Sequence, residues 1–448
     1  MVLTIGQDAN KKGTDGYFFY NPENYDANAV LKQAYDKAAE TATAENPVTI
    51  NVESGQYWIN DHIYPASHVY LQGEVGVVFK LAPDLKCACM YGKDYMKNDN
   101  EPYAHWGFHG ANGHLQSAMF NIWKVTDVRL STFTLDGSYD DLYDGKMCDG
   151  NGNVVSGGEA RGKSEFTQMN IWQSSNIKID HVELTRGAND GIGCYSSNDI
   201  DVGYCRFDMV GHDGIQVASG CQRVKIHHNF CRIRTNVAFR ISYGSENCEI
   251  FCNEVTRGEG GGSAVEFVQA CPGTLVHNNY FHDITNGDYG AIGYKGLTVS
   301  GPGHKYFNNI IINCAYAAND CPAGYEACNN VALNCGSLWG GSPAKDTPNV
   351  TQDSEYTAEK YGENGQCNTY WKIKSGSLAG QIVGIDPKYG SDIQIPEPAQ
   401  VNPHIIKLLQ TNPCILIQCE NSETQQKLFD ALNATGLIEN GKMEITQV

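Results

Sequence analysis

The chain has 448 residues, enough for one elongated domain or two to three ordinary ones, and 41 % of them are hydrophobic, so a core can form. Its 32 Lys and Arg stand against 51 Asp and Glu, a formal charge of −19. That surface repels nucleic acid and anionic membrane and argues against both as partners, although one local basic groove would still admit an anionic sugar.

From the N-terminus, Met1 to Gly16 is polar and Gly-rich and lacks the charged and apolar regions of a signal peptide. A cytoplasmic protein is expected if Met1 is native, and a secreted or cell-surface one if a signal has been removed. No apolar run reaches membrane-spanning length. Asp26 to Ala44 has helical periodicity and few β-branched residues, which suits a helix capping an open core. Strand-like Val48 to Val52 follows, and His68-Val69-Tyr70-Leu71-Gln72-Gly73 continues the pattern.

A repeat then dominates. Met169-Asn170-Ile171-Trp172, Ile192-Gly193-Cys194-Tyr195, Ile215-Gln216-Val217-Ala218, Phe239-Arg240-Ile241-Ser242, Val265-Glu266-Phe267-Val268 and Ile292-Gly293-Tyr294-Lys295 are each apolar–polar–apolar. Asn170, Gly193, Gln216, Arg240, Glu266 and Gly293 are spaced by 23, 23, 24, 26 and 27 residues. A second strand follows each turn, as in Ile177-Lys178-Ile179, Ile200-Asp201-Val202 and Val224-Lys225-Ile226. A third segment carries Asn229, Asn253, Asn279, Asn309 and Asn330, positioned to form a hydrogen-bonded ladder. Three short strands per repeat describe one coil of a parallel β-helix; helical solenoids need longer amphipathic segments, and propellers need hairpin signals that are missing here.

Phe120-Asn121-Ile122-Trp123 repeats the motif of Met169 to Trp172, 49 residues earlier, which is one coil plus an insertion at about 137–164, rich in Gly and Asp. The expected organisation is an N-terminal segment and capping helix (1–45), a parallel β-helix (46–335) with that inserted loop, an irregular segment (336–398) and a small α/β appendage (399–448). Of the 17 cysteines, an odd number, many sit inside apolar repeats, among them Cys194, Cys205, Cys231, Cys248, Cys252, Cys314 and Cys335. They read as small buried hydrophobes, which favours a reducing setting, and without a CxxC pair no zinc site is expected.

On these residues the chain resembles the right-handed parallel β-helices of the pectate-lyase-like superfamily, over about Ala27 to Cys335. The opening strands and Phe133-Thr134-Leu135-Asp136-Gly137 add to the likeness. The resemblance implies an all-β solenoid acting on carbohydrate, since its members are mostly polysaccharide lyases, glycoside hydrolases, epimerases and phage tailspikes. Asn189-Asp190-Gly191-Ile192 also looks like the first catalytic Asp motif of polygalacturonase-type hydrolases. Gly211-His212-Asp213-Gly214-Ile215 falls where their Gly-Asp-Asp stands, with His212 in place of one Asp. Thr235-Asn236-Val237 replaces their Gly-His-Gly, and no Arg-Ile-Lys motif follows.

Strand alternation sends Gly193, Gln216, Arg240 and Glu266 outward in one column. A second outward column holds Trp123, Trp172, Tyr195, Ala218, Ser242, Val268 and Lys295. Trp123, Trp172 and Tyr195 are expected to stand exposed as a platform for sugar rings, the rival being a satellite core beneath the insertion. Asp190 and Asp213 should occupy equivalent corners of adjacent coils, with carboxyls roughly 5–6 Å apart, one protonated and one ionised. Turn chemistry alone would also place Asp-Gly there.

The first expectation is therefore a glycoside hydrolase with Asp190 and Asp213 as catalysts and Glu266 as second choice. Arg240, Gln216 and Asn170 would hold hydroxyls, with His212 and Lys295 beside them. A lyase or epimerase on a uronic-acid polymer is the second expectation, with Arg240 or Lys295 as base. Its Ca²⁺ would be held by Asp136, Asp140, Asp141, Asp144 and Asp149; otherwise no cofactor and no resident metal is expected. A non-catalytic glycan-binding fibre or tailspike is the third. The partner in each case is a carbohydrate, and a homo-oligomer, trimer or dimer, is compatible with all three.

Overall fold

The computed structural model describes residues 2–82, 117–137, 147–148, 154–155, 166–187, 190–233, 236–258, 262–268, 271–285, 290–294, 303–319, 321, 323–362 and 367–390. Within them the chain winds through short parallel strands joined by tight corners. One face is a nine-stranded sheet running from Ser117–Trp123 through Phe166–Trp172, Ile192–Tyr195, Ile215–Ala218, Phe239–Ser242, Val265–Val268, Ile292–Tyr294 and Tyr316–Asn319 to Ser337–Trp339. The other two faces merge into one 20-stranded sheet, because the long strands Thr126–Asp136 and Ser175–Thr185 turn the corner and pair along both.

The register matches the sequence period. Asn121, Asn170, Gly193, Gln216, Arg240, Glu266 and Gly293 are successive partners across the first sheet. Alternation fixes this arrangement, since slipping one residue would turn Ile192, Cys194, Ile215, Val217, Phe239 and Ile241 out of the interior, where all are fully buried. Cys194, Cys205, Cys231, Cys248, Cys252 and Cys314 are buried free thiols and Cys335 is a partly buried one, packing as small hydrophobes do.

The asparagine ladder forms. Each of Asn229, Asn253, Asn279 and Asn309 donates its backbone N–H and its side-chain Nδ2 to the Oδ1 of the next, at 2.9–3.0 Å. Asn330 repeats the pattern onto Asn349, a rung the sequence period did not reveal. The residue before each ladder Asn, from His228 to Asn329, has φ between 51° and 60°, so the corner is a sharp left-handed turn and the asparagine satisfies the backbone groups that it exposes.

Three expected boundaries change. The coil begins at residue 2 rather than 46, since Val2–Gly6 pairs in parallel with both Tyr17–Phe19 and Val48–Val52. The helix is shorter than expected, Ala27–Ala39, with Asp26 capping Ala29 N, and its Leu31, Ala34 and Tyr35 join the interior apolar cluster over the first strands. The described part of the 336–398 segment is not irregular. It adds Ser337–Trp339 to the first sheet and forms an antiparallel sheet of Tyr356–Tyr361, Tyr370–Gly376 and Ile382–Gly384. Trp371, Ile373, Leu378 and Val383 bury its inner face against Ile310, Val331 and Val350. Met147–Cys148 and Val154–Val155, inside the expected insertion, pair antiparallel. The rest of that loop and the 399–448 appendage lie outside the described residues, and no described helix is long and apolar enough to cross a membrane.

Two buried imidazoles make the coil acid-sensitive. Burial pushes His304, packed on Phe267, down to about 4, and burial with the neighbouring His227 pushes His228 down to about 3. In the unfolded chain both return to about 6.5. Below that value the unfolded state binds protons that the folded state refuses, so stability falls as pH drops from about 6.5 toward 4. For His304 the loss at pH 4 is on the order of 3 kcal/mol. Urea midpoints measured from pH 7 to 4.5 should fall steadily, and less steeply for His304→Gln; an equal slope in the two proteins would refute this origin.

Candidate active site

Asp190 and Asp213 occupy matching corners where the chain enters the first sheet. Gly191 N bonds to Asp213 O at 2.8 Å, and Asp213 N donates to Asp190 Oδ1 at 3.1 Å. His212 joins the two carboxylates, its Nδ1 lying 2.8 Å from Asp190 Oδ1 and 3.5 Å from Asp213 Oδ1. One side-chain N or O atom from each of the three falls within 4.8 Å of the other two. Asn236, one coil on, donates Nδ2 to Asp213 Oδ1 at 2.6 Å and lies 3.1 Å from His212 Nε2.

The column on the sheet completes the network. Arg240 Nη1 lies 3.0 Å from Asp213 Oδ2, and its Nε donates to Glu266 Oε2 at 2.6 Å. Asp190, Asp213 and Glu266 are wholly buried and Arg240 nearly so, whereas His212 and Asn236 are only partly buried. Five ionisable groups on four successive coils thus share one chain of contacts.

Its electrostatics separate the two aspartates. Burial pushes the Asp213 carboxyl up, the nearby Asp190 and Glu266 add to this, and Arg240 and His212 offset it only in part, leaving it at about 6. Burial acts on Asp190 too, but the bond and charge of His212, with Arg240 and the Asp213 N–H, hold it below the usual carboxylate range. His212 is raised: burial opposes its charge, and Asp213 and Asp190 outweigh burial. The Asp190–His212–Asp213 set has the donor types of a divalent-cation site, but the Arg240 guanidinium on Asp213 already supplies a cation there.

Several expected roles change. Trp172 and Tyr195 do not form an exposed platform, for each is 1 % exposed, and Trp123 is half-buried. They do face away from the interior, as neither belongs to its apolar cluster. Trp172 stacks on Trp123 with centroids 5.6 Å apart, and Lys124 Nζ lies over both rings. Tyr195 folds down over Gly193, where a Cβ would meet its ring at 2.6 Å, and hands its hydroxyl to Gln216 Oε1 at 3.2 Å. Arg240 is engaged by two carboxylates, which favour its charged form and oppose the lyase-base role expected of it. Asp136 is engaged by Arg186 and Lys80 rather than open to Ca²⁺. Asn170 and Gln216 are buried beside the network, while Lys295, Asn189, Asp140, Asp141, Asp144 and Asp149 lie outside the described residues.

Sequence reasoning passed over Asn236 as a ligand of the site. Its signal was the repeat itself, because it stands 24 residues after His212, at the same turn.

A family model described as a right-handed beta helix region matches residues 121–281. With the parallel coils above, this makes the chain a right-handed parallel β-helix protein. No curated protein matches it in sequence. Among solved structures it is similar to an exopolygalacturonase from Thermotoga maritima, with TM-score 0.42 and 13 % identity over 72 % of this chain and 87 % of that one. It is also similar to the N-terminal fragment of bacteriophage Phi29 gene product 12, with TM-score 0.48 and 15 % identity over 73 % of this chain and 51 % of that one. A third is the endo-xylogalacturonan hydrolase of Aspergillus tubingensis, with TM-score 0.41 and 14 % identity over 78 % and 96 %.

Proposed function

We propose that the chain is a carbohydrate-active enzyme that hydrolyses a glycosidic bond, with Asp213 as general acid and Asp190 as the ionised partner. The observation that carries this reading is a pair of carboxylates on adjacent coils, bridged by one histidine, with environments that push their proton affinities apart. Paired acids of this kind protonate the leaving oxygen and meet the developing positive charge at the anomeric carbon.

Their spacing selects between two outcomes. Retaining pairs stand about 5–5.5 Å apart and inverting pairs about 6.5–9.5 Å, to leave room for a water. Adjacent rungs lie about 4.8 Å apart, so carboxyls on matching corners of neighbouring coils suit the retaining course. Asp190 then forms the glycosyl ester as Asp213 gives its proton to the leaving group, and Asp213 takes a proton from the incoming water. Substrate approaches from the side of His212 and Asn236, the members of the network that are only partly buried.

The same assignments fix a pH profile. The active form has Asp213 protonated and Asp190 ionised, so kcat/KM should fall as pH rises through about 6. It should fall again at low pH, where Asp190 takes up its proton. A rate that climbs from pH 6 to pH 8 would exclude Asp213 as the acid. Activity itself is tested on a panel of polysaccharides by the release of reducing ends.

A further inference from the structure

The outward column of the first sheet bears on which sugar fits. Gln216, Arg240 and Glu266 are direct partners on three successive strands, and all three residues are buried. Arg240 is the cation of this column, and it divides its donors between Asp213 and Glu266.

On either side of Arg240 stands a buried atom with no hydrogen-bond partner in the protein. Gln216 accepts from Tyr195 through Oε1, which leaves Nε2 as an unmatched donor. Glu266 accepts from Arg240 through Oε2, which leaves Oε1 as an unmatched acceptor. Buried polar atoms are rarely left unmatched, and those that are point to a ligand or to solvent. Here one donor and one acceptor flank Arg240, two rungs apart, with Gln216 on the strand that follows Asp213 and Glu266 two coils further on.

We propose that this slot is built for an uncharged sugar, whose hydroxyls accept from Gln216 Nε2 and donate to Glu266 Oε1. A hydroxyl does both. A uronate carboxylate offers only acceptors, so beside Gln216 Nε2 it would meet Glu266 Oε1 acceptor to acceptor, with no proton between them. The assignment rests on the hydrolase reading above and names the substrate class of that site.

The test is calorimetric binding to the full chain carrying Asp213→Asn, which keeps the shape and neutrality of the protonated acid while stopping turnover. The probes are xylo-, manno-, gluco- and galacto-oligosaccharides against oligogalacturonate and oligomannuronate. At least one neutral series should bind and neither uronate should. Adding Gln216→Ala should weaken the neutral ligand about 10-fold, the worth of one buried hydrogen bond. Adding Glu266→Gln should keep neutral binding and let a uronate bind, because it releases one valence of Arg240; misfolding cannot mimic such a gain. Uronate binding at or above the neutral series before that change would overturn the proposal, as would no neutral binding at all or no gain with Glu266→Gln. Neutral oligosaccharides that bind but are not cleaved by the unaltered chain would remove the hydrolase reading and leave this one standing.

Discussion

Asp213→Asn is expected to lower kcat by about 10²- to 10⁴-fold, the usual worth of a positioned general acid, while leaving the coil folded. The amide copies the shape of the protonated carboxyl, and Arg240 keeps its 2.6 Å bond to Glu266. The melting transition should fall, because one of the two oxygens that face Asn236 Nδ2 and Arg240 Nη1 becomes an N–H donor, but the chain should stay folded at the assay temperature. Asp190→Asn should cost a similar factor, because an amide can neither carry the negative charge nor form the ester. The double variant should be no worse than either single one by more than a small factor, since the two groups act as a unit. Steady-state rates on the best substrate, with near-ultraviolet circular dichroism as the control for folding, decide this. Full activity in Asp213→Asn would mean that the network is only a buried ion cluster, which is the bland account of five charges sharing one chain of contacts.

The second large effect concerns the scaffold. Asn279→Ala is expected to destabilise the β-helix by about 3–5 kcal/mol, because several buried groups lose partners at about 1–3 kcal/mol each. Asn279 Oδ1 accepts from Asn253 N at 2.9 Å and from Asn253 Nδ2 at 3.0 Å. Its own Nδ2 reaches Ile250 O and Asn309 Oδ1, both at 3.0 Å. All of these side chains are fully buried, so water cannot replace what alanine removes. Asn349→Ala should cost much less, because Asn349 ends the ladder and is only partly buried. Urea unfolding of the two variants side by side checks the contrast; equal losses would show that the ladder does not act through burial.

The column Asn170–Gly193–Gln216–Arg240–Glu266 was legible because strand alternation and a regular coil length leave no freedom: a period in sequence becomes a register in space. The ladder from Asn229 to Asn330 was legible for the same reason. The facing of Asp190 and Asp213 followed from their 23-residue separation, equal to one coil. What the period could not supply is the direction of a long side chain once it leaves the sheet. Tyr195 was placed correctly on the outer face, yet it lies down along the sheet because Gly193 lacks a Cβ, and its ring is buried. Arg240 was likewise in its column, but its reach to both Asp213 and Glu266 depends on a side-chain path that spacing does not encode. Segments without the repeat were harder still. Val2–Gly6 is one short strand with no copy of itself nearby, and the sheet at 356–384 pairs antiparallel, outside the coil's period.

The central claim is hydrolysis by the aspartate pair, and one digest tests it most directly. A panel of neutral and uronic-acid polysaccharides is incubated with the unaltered chain and with Asp213→Asn. Reducing ends and the ultraviolet absorbance of an unsaturated product are read together. The account predicts reducing ends without that absorbance, from a neutral glycan, by the unaltered chain alone. Absorbance from a uronic-acid polymer, or reducing ends released equally by both proteins, would contradict it.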